Sequence, residues 1–386
     1  MNFVGHMILQ PRHWLAASVL IGTLGLIAGC ASDPADPHIK FAELVNQDLA
    51  TAYQPARNDI SNWNETWQLG RQSVDVAWLA PDTHERLPLI IYLPGLGESA
   101  TAGEEWRNAW AQAGYAVLSI QGQYYGPALY STSQAQAGVF RELAADRYSG
   151  PALRDRLATL QKVLTEVRAR AAKGDAQLAS IDWNQVVVAG FDLGAQTAAA
   201  VAGAGEAGVA SGVDIQPKAL LLLSPYVDVG ARPEVFARIT SPVLTITSPD
   251  DEDPFNWVSS YQQRELLGES VTVAGSYRLK LARSTYKTLS GSDLVPIPPD
   301  RKGISKPPGD EHTPGGKSHA KGKSARSASS SHSPVGAEPV PDPKQVAAIQ
   351  VISQAFFDSR VRHNPVASEW LQKAAPGWLG RAGQLQ

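Results

Sequence analysis

Val186-Val187-Val188-Ala189 runs straight into Gly190-Phe191-Asp192-Leu193-Gly194. The apolar run reads as a strand buried on both faces, and the glycines after it read as a sharp strand-to-helix turn. Small residues flank the central position because only Gly fits beside so tight a bend without a Cβ clash. Ala195-Gln196-Thr197-Ala198-Ala199-Ala200 then continues as a helix able to pack closely on a sheet. The frame is G-x-S-x-G, an elbow that presents a nucleophile, with Asp192 standing where the serine would be.

Strands and helices alternate around this elbow. Gln72 to Ala80 alternates as Val74, Val76, Trp78, the pattern of a half-buried strand. Leu87 to Leu93 is continuously apolar and is broken by Pro94-Gly95-Leu96-Gly97. Glu104 to Gly114 reads as a helix with Trp106, Trp110 and Ala113 on one face, followed by a strand from Tyr115 to Ile120. Pro151 to Ala172 is a long amphipathic helix that feeds the elbow strand. Lys218 to Ser224 and Pro242 to Thr247 are further buried strands, and Ser284 to Leu289 is a weaker one. The expected class is α/β, a doubly wound, mostly parallel sheet.

From about Val295 to Lys344 the composition shifts to Pro, Gly, Ser and Lys, too polar to offset its chain entropy by burial, and it reads as disordered. Gln345 to Arg362 returns as an amphipathic helix with Ile349, Ile352, Phe356 and Phe357, so the polar tract is an insertion and not a tail. The expected organisation is a core over 61–294, the insertion over 295–344, and a closing helix and tail over 345–386.

With 386 residues, 10 Trp and 43% hydrophobic content, the chain can build one large core. A net charge of -3 gives no reason to expect nucleic-acid binding. The one cysteine, Cys30, excludes an internal disulfide. Arg12 and His13 precede an apolar run from Trp14 to Ala28 of about 15 residues, short of the roughly 20 that span a bilayer. It ends Leu26-Ile27-Ala28-Gly29-Cys30, which resembles the lipobox of bacterial lipoproteins. That resemblance implies cleavage before Cys30, acylation of its thiol and new amino group (palmitate among the acyl chains), and anchorage to a membrane outside the cytoplasm. Ala31 after the cysteine implies sorting to the outer membrane, facing the periplasm. The alternative is an ordinary cleaved signal peptide. A polar, Pro-containing tether follows to about Ala50, within a tether region assigned to 30–60.

From about Gln72 to the C-terminal tryptophans the chain resembles the α/β-hydrolase superfamily, and most the cap-less branch of dienelactone hydrolases and platelet-activating-factor acetylhydrolase-like esterases. The likeness rests on LPLIIYLPGLG at 87–97, VVVAGFDLGAQTA at 186–198, PVLTITSPDDEDP at 242–254 and a closing helix with Trp370-Leu371, all in the family's order. It implies an oxyanion hole from the backbone N–H groups of Leu96 and Leu193. It implies an acid at Asp251, with Asp250 second; the competing reading is a solvated acidic turn. It places the family's histidine near Ser290-Gly291-Ser292-Asp293-Leu294, where none stands and Asp293 lies closest. Of the 8 histidines, His312 in the insertion is the best candidate to reach over. The Asp192 carboxylate is expected to fill the oxyanion hole itself.

No cofactor and no metal are expected; the spacing in Asp250 to Asp253 matches no calcium loop. Three functional readings stand. The first is a membrane-anchored α/β-hydrolase-fold lipoprotein without serine-esterase activity that binds a small molecule or an envelope partner. The second is an active hydrolase of esters or related small molecules, using Asp192. The third is an envelope scaffold whose basic insertion touches anionic polymer.

Overall fold

The computed structural model describes residues 36–83, 85–205, 211–292, 294 and 340–386. The expected insertion falls almost wholly outside these, as do the leader, Cys30, Asp293 and His312.

The described residues form the strands β1 (Ile60–Leu69), β2 (Gln72–Pro81), β3 (Leu87–Leu93), β4 (Ala116–Gly122), β5 (Ile181–Phe191), β6 (Ala219–Leu223), β7 (Val243–Thr247), β8 (Tyr277–Leu281) and β9 (Gly383–Leu385), the continuous apolar runs becoming the interior ones. They form one sheet in the order β1-β2-β4-β3-β5-β6-β7-β8-β9. The interior pairs from β4 through β3, β5, β6 and β7 to β8 are parallel, while β1, β2 and β9 add antiparallel edges. This is the expected α/β class.

The strands are apolar on both faces because both faces are covered. Ile90, Tyr92, Val187, Ala189, Leu221 and Leu223 face one core. It contains Trp106 and Trp110 of the helix Glu104–Gln112 and the buried helix Pro343–Arg360. Leu89, Ile91, Val186, Val188, Leu220 and Leu222 face the other, under the helices Gly150–Ala172 and Leu193–Val201. The closing helix is tied in by polar contacts as well. Asp358 accepts hydrogen bonds from Tyr53 and Tyr115, each at 2.8 Å, and Trp110 Nε1 donates to Ser353 Oγ at 2.8 Å.

The elbow glycines are required by contact. A Cβ on Gly194 would lie 1.8 Å from the carbonyl oxygen of Leu93, and one on Gly190 would lie 2.4 Å from the Gly194 backbone. The helix Leu193–Val201 therefore starts hard against the ends of β3 and β5.

Two expectations are corrected. Ser284 to Leu289 is not a strand. Thr285 caps a short helix, Tyr286–Ser290, by accepting from the Thr288 N–H, and the last parallel strand lies earlier, at Tyr277–Leu281. That strand carries Arg278 and Lys280 on its outward side, which hid it among charged residues. The segment expected as a tether contains a helix, Pro37–Leu49, packed on Pro343–Arg360 through Val45, Phe41 and Leu49. No helix among the described residues is long and apolar enough to cross a membrane.

Candidate functional site

Because β3, β5, β6, β7 and β8 run parallel, the loops after them gather at one edge of the sheet, where ligand sites of open α/β sheets lie. At this edge Asp192 has φ 49° and ψ -107°, a conformation strained for any residue with a side chain. Ser224, at the end of β6, is likewise at φ 45°. The bend lifts the Asp192 side chain above β5, and it is fully buried there.

Its carboxylate is doubly held. Tyr148 donates its hydroxyl to Oδ2. Arg264, from the helix Tyr261–Ser270, donates from Nη1 to Oδ1 at 3.1 Å. The same guanidinium lies 3.4 Å from Asp251 Oδ2, and its Nη1 also donates to the Ser224 carbonyl at 2.7 Å. Ser224 Oγ donates to Asp251 Oδ2 at 2.6 Å. Arg264, Asp192 and Asp251 are thus one buried ionic unit, with side chains at 0% exposure. Arg264 reaches it because Gly268, one turn on, lets the helix close onto β7; a Cβ there would meet Thr245 Oγ1 at 2.5 Å.

Asp251, placed by the sequence as the acid, is therefore in the cluster. Asp250 instead pairs with Arg283 at the surface, at 3.2 Å. The solvated-turn reading fails for Asp251 and Asp253, which are buried; Asp253 accepts from the N–H groups of Phe255, Trp257 and Val258 and fixes the loop. Leu96 and Leu193 are both buried in one apolar cluster with Tyr125, Tyr148 and Tyr226. Their N–H groups have no hydrogen-bond partner among the described residues. The expected filling of this hole by Asp192 is contradicted: its oxygens face Tyr148 and Arg264, two stronger donors than a pair of peptide N–H groups. The described histidines, His38 and His363, are not among the partners of Asp192 or Asp251.

Sequence reasoning missed Tyr148, Ser224, Arg264 and Glu98. Glu98 follows the β3 break and accepts from the Gly95 N–H at 2.8 Å. Burial pushes its carboxyl up to about 8, with the Asp192 charge adding to the effect. Burial likewise pushes Asp251 up to about 6, against the pull of Arg264 and Ser224. Burial opposes the charge on Arg264, but Asp251 and Asp192 outweigh it and hold the guanidinium protonated. Burial sets the direction at both carboxyls, and the neighbouring Asp192 charge adds to it.

Beside the elbow helix lies a cleft of about 350 Å³, walled by Leu153, Ala199, Ala200, Val227, Val235 and Phe236, with Tyr226 and Asp228 also lining it. Tyr226 stacks on Tyr148 with ring centroids 4.1 Å apart, so the cleft and the ionic unit share a wall.

No protein-family model matches the chain, and no curated protein matches it.

Raised carboxyls bind protons more tightly folded than unfolded, so their contribution is complete below the ordinary values and is lost as pH rises through the folded ones. Stability should therefore fall from about pH 4 to pH 8, through Asp251 first and Glu98 last. Thermal melts should give a lower Tm at pH 8.5 than at pH 5.5, and Glu98→Gln should flatten the part of the slope above pH 6. An unchanged slope in that variant would refute the assignment.

Proposed function

We propose that this protein is an α/β-hydrolase-fold lipoprotein of the bacterial envelope that lacks serine-esterase activity and acts by binding. The observation carrying this reading is the state of Asp192. A carboxylate that is fully buried, ion-paired with Arg264 and hydrogen-bonded by Tyr148 has a donor on each oxygen and no open path to an electrophile. Attack on an ester would also yield a mixed anhydride, with no histidine among the described residues paired with Asp192 or Asp251 to turn it over. The strand order, the strained elbow and the position of Asp251 support descent from the hydrolase scaffold. The cleft beside the elbow helix, apolar with an acidic rim, is where a small ligand would sit.

A second reading, an active hydrolase of esters or related small molecules, is favoured by one observation: the unpartnered N–H groups of Leu96 and Leu193 leave an oxyanion hole free. One assay separates the two. The full chain in detergent is offered short-chain aryl esters and a haloalkane beside Asp192→Ala. The binding reading expects no turnover above buffer in either protein; turnover abolished by the substitution would establish the second reading.

Occupancy of the cleft is tested with N-phenyl-1-naphthylamine. Its fluorescence should rise on wild type and fall at least several-fold with Ala199→Phe, which fills the cleft. Equal fluorescence from both proteins would remove the cleft from the proposal. Anchorage is tested by Cys30→Ala, which should move the protein from the outer-membrane to the soluble fraction of a Gram-negative host and abolish labelling by radioactive palmitate.

A further inference from the structure

The cleft beside the elbow helix carries its charge on one side chain. Its polar lining among the described residues is Gln196, Tyr226 and Asp228. Gln196 is engaged at both ends: Oε1 accepts from Arg156, and Nε2 donates to the Tyr148 carbonyl at 3.2 Å. The Tyr226 hydroxyl donates to Asp228 Oδ1 and accepts from Trp257 Nε1 at 2.8 Å. No cationic side chain lines the cleft; the nearby Arg238 donates instead to the Gly205 carbonyl at 2.9 Å. An anionic head group would find no charged donor there to offset its desolvation. Asp228 offers the opposite. It is exposed, and among the described residues only one of its two carboxylate oxygens accepts a hydrogen bond.

That carboxylate is held in place. Tyr226 fixes one oxygen, and the Asp228 carbonyl accepts from the Ala231 N–H at 3.0 Å, closing a turn in which Gly230 has φ 78°. The same turn presents Val229 at the mouth of the cleft, 76% exposed. A fixed negative charge and an exposed apolar side chain thus flank the entrance to an apolar space of about 350 Å³. Apolar walls with a few fixed polar groups are the usual composition of a small-molecule site.

We propose that the cleft takes a small primary amine with an apolar alkyl or aryl body, its ammonium group paired with Asp228. Such an amine is cationic at neutral pH, as lysine is, and its body replaces water along the apolar walls. Fatty acids and other anionic amphiphiles meet the Asp228 charge with nothing to balance it. The proposal rests on the reading of the cleft as a binding site and adds the charge class of the ligand.

The test is calorimetric titration of the full chain, in a non-ionic detergent matched between cell and syringe, with 4-phenylbutylamine, 4-phenylbutanol and 4-phenylbutyrate. These share one apolar body and differ in head-group charge. The amine should bind about two- to fivefold tighter than the alcohol, the range of an exposed ion pair, and the acid should bind weakest. Asp228→Asn, which keeps an acceptor for Tyr226, should bring the amine to the affinity of the alcohol and leave the alcohol unchanged. Equal affinities for amine and alcohol, a preference that survives in Asp228→Asn, or tightest binding of the acid overturns the proposal. If N-phenyl-1-naphthylamine still binds wild type and is lost with Ala199→Phe, the cleft reading outlives that result. If neither the dye nor any of the three ligands binds, the cleft reading and the proposal fall together.

Discussion

A single guanidinium organises the functional edge of this sheet. Arg264 arrives from a helix packed outside β7 and is the one positive group between the carboxylates of Asp192 and Asp251. Removing one partner from such a buried arrangement typically costs about 3–5 kcal/mol, because the remaining charge is left without compensation. The arrangement ties together four segments that are distant in sequence: the elbow after β5, Ser224 after β6, the loop after β7 and the helix Tyr261–Ser270. It also holds Asp192 in a backbone conformation that an aspartate would not adopt alone. The bend delivers a carboxylate into an ionic lattice, and the strain serves the fold.

The sheet was legible in the sequence wherever a strand is buried on both faces, as at Leu87 to Leu93 and Val186 to Ala189, because such strands need no polar residue. Legibility failed at the edges. β1 is polar on its outer side and was passed over, and β8 alternates Arg278 and Lys280 with its apolar residues. The segment before β1 reads as a tether because its helix shows only a short apolar face, Phe41, Val45 and Leu49, among polar residues.

The sequence places Asp192 and Asp251 at strand ends, and the structure brings those two side chains together on Arg264. Tyr148, Glu98 and Arg264 were not legible, since their roles depend on where side chains meet across the fold. Gly268 was the one available signal for Arg264: a glycine inside a helix often marks close approach to a neighbour, and a residue one turn before it shares that face. The acidic run from Asp250 to Asp253 looked uniform but divides by contact into a surface pair, a buried ligand of Arg264 and a loop cap.

The helix Pro343–Arg360 bears on how the chain reaches this state. Its residues are buried almost all round, and Asp358 takes a hydrogen bond from Tyr53, 305 positions earlier. The part of this sheet face that Pro343–Arg360 covers, beyond the reach of Glu104–Gln112, thus stays bare until that helix has been made. Contacts of such sequence separation form late and slowly, so the half-built sheet would display its apolar side during synthesis. Until the helix Pro343–Arg360 emerges, that apolar surface of the nascent chain is open to non-native contacts.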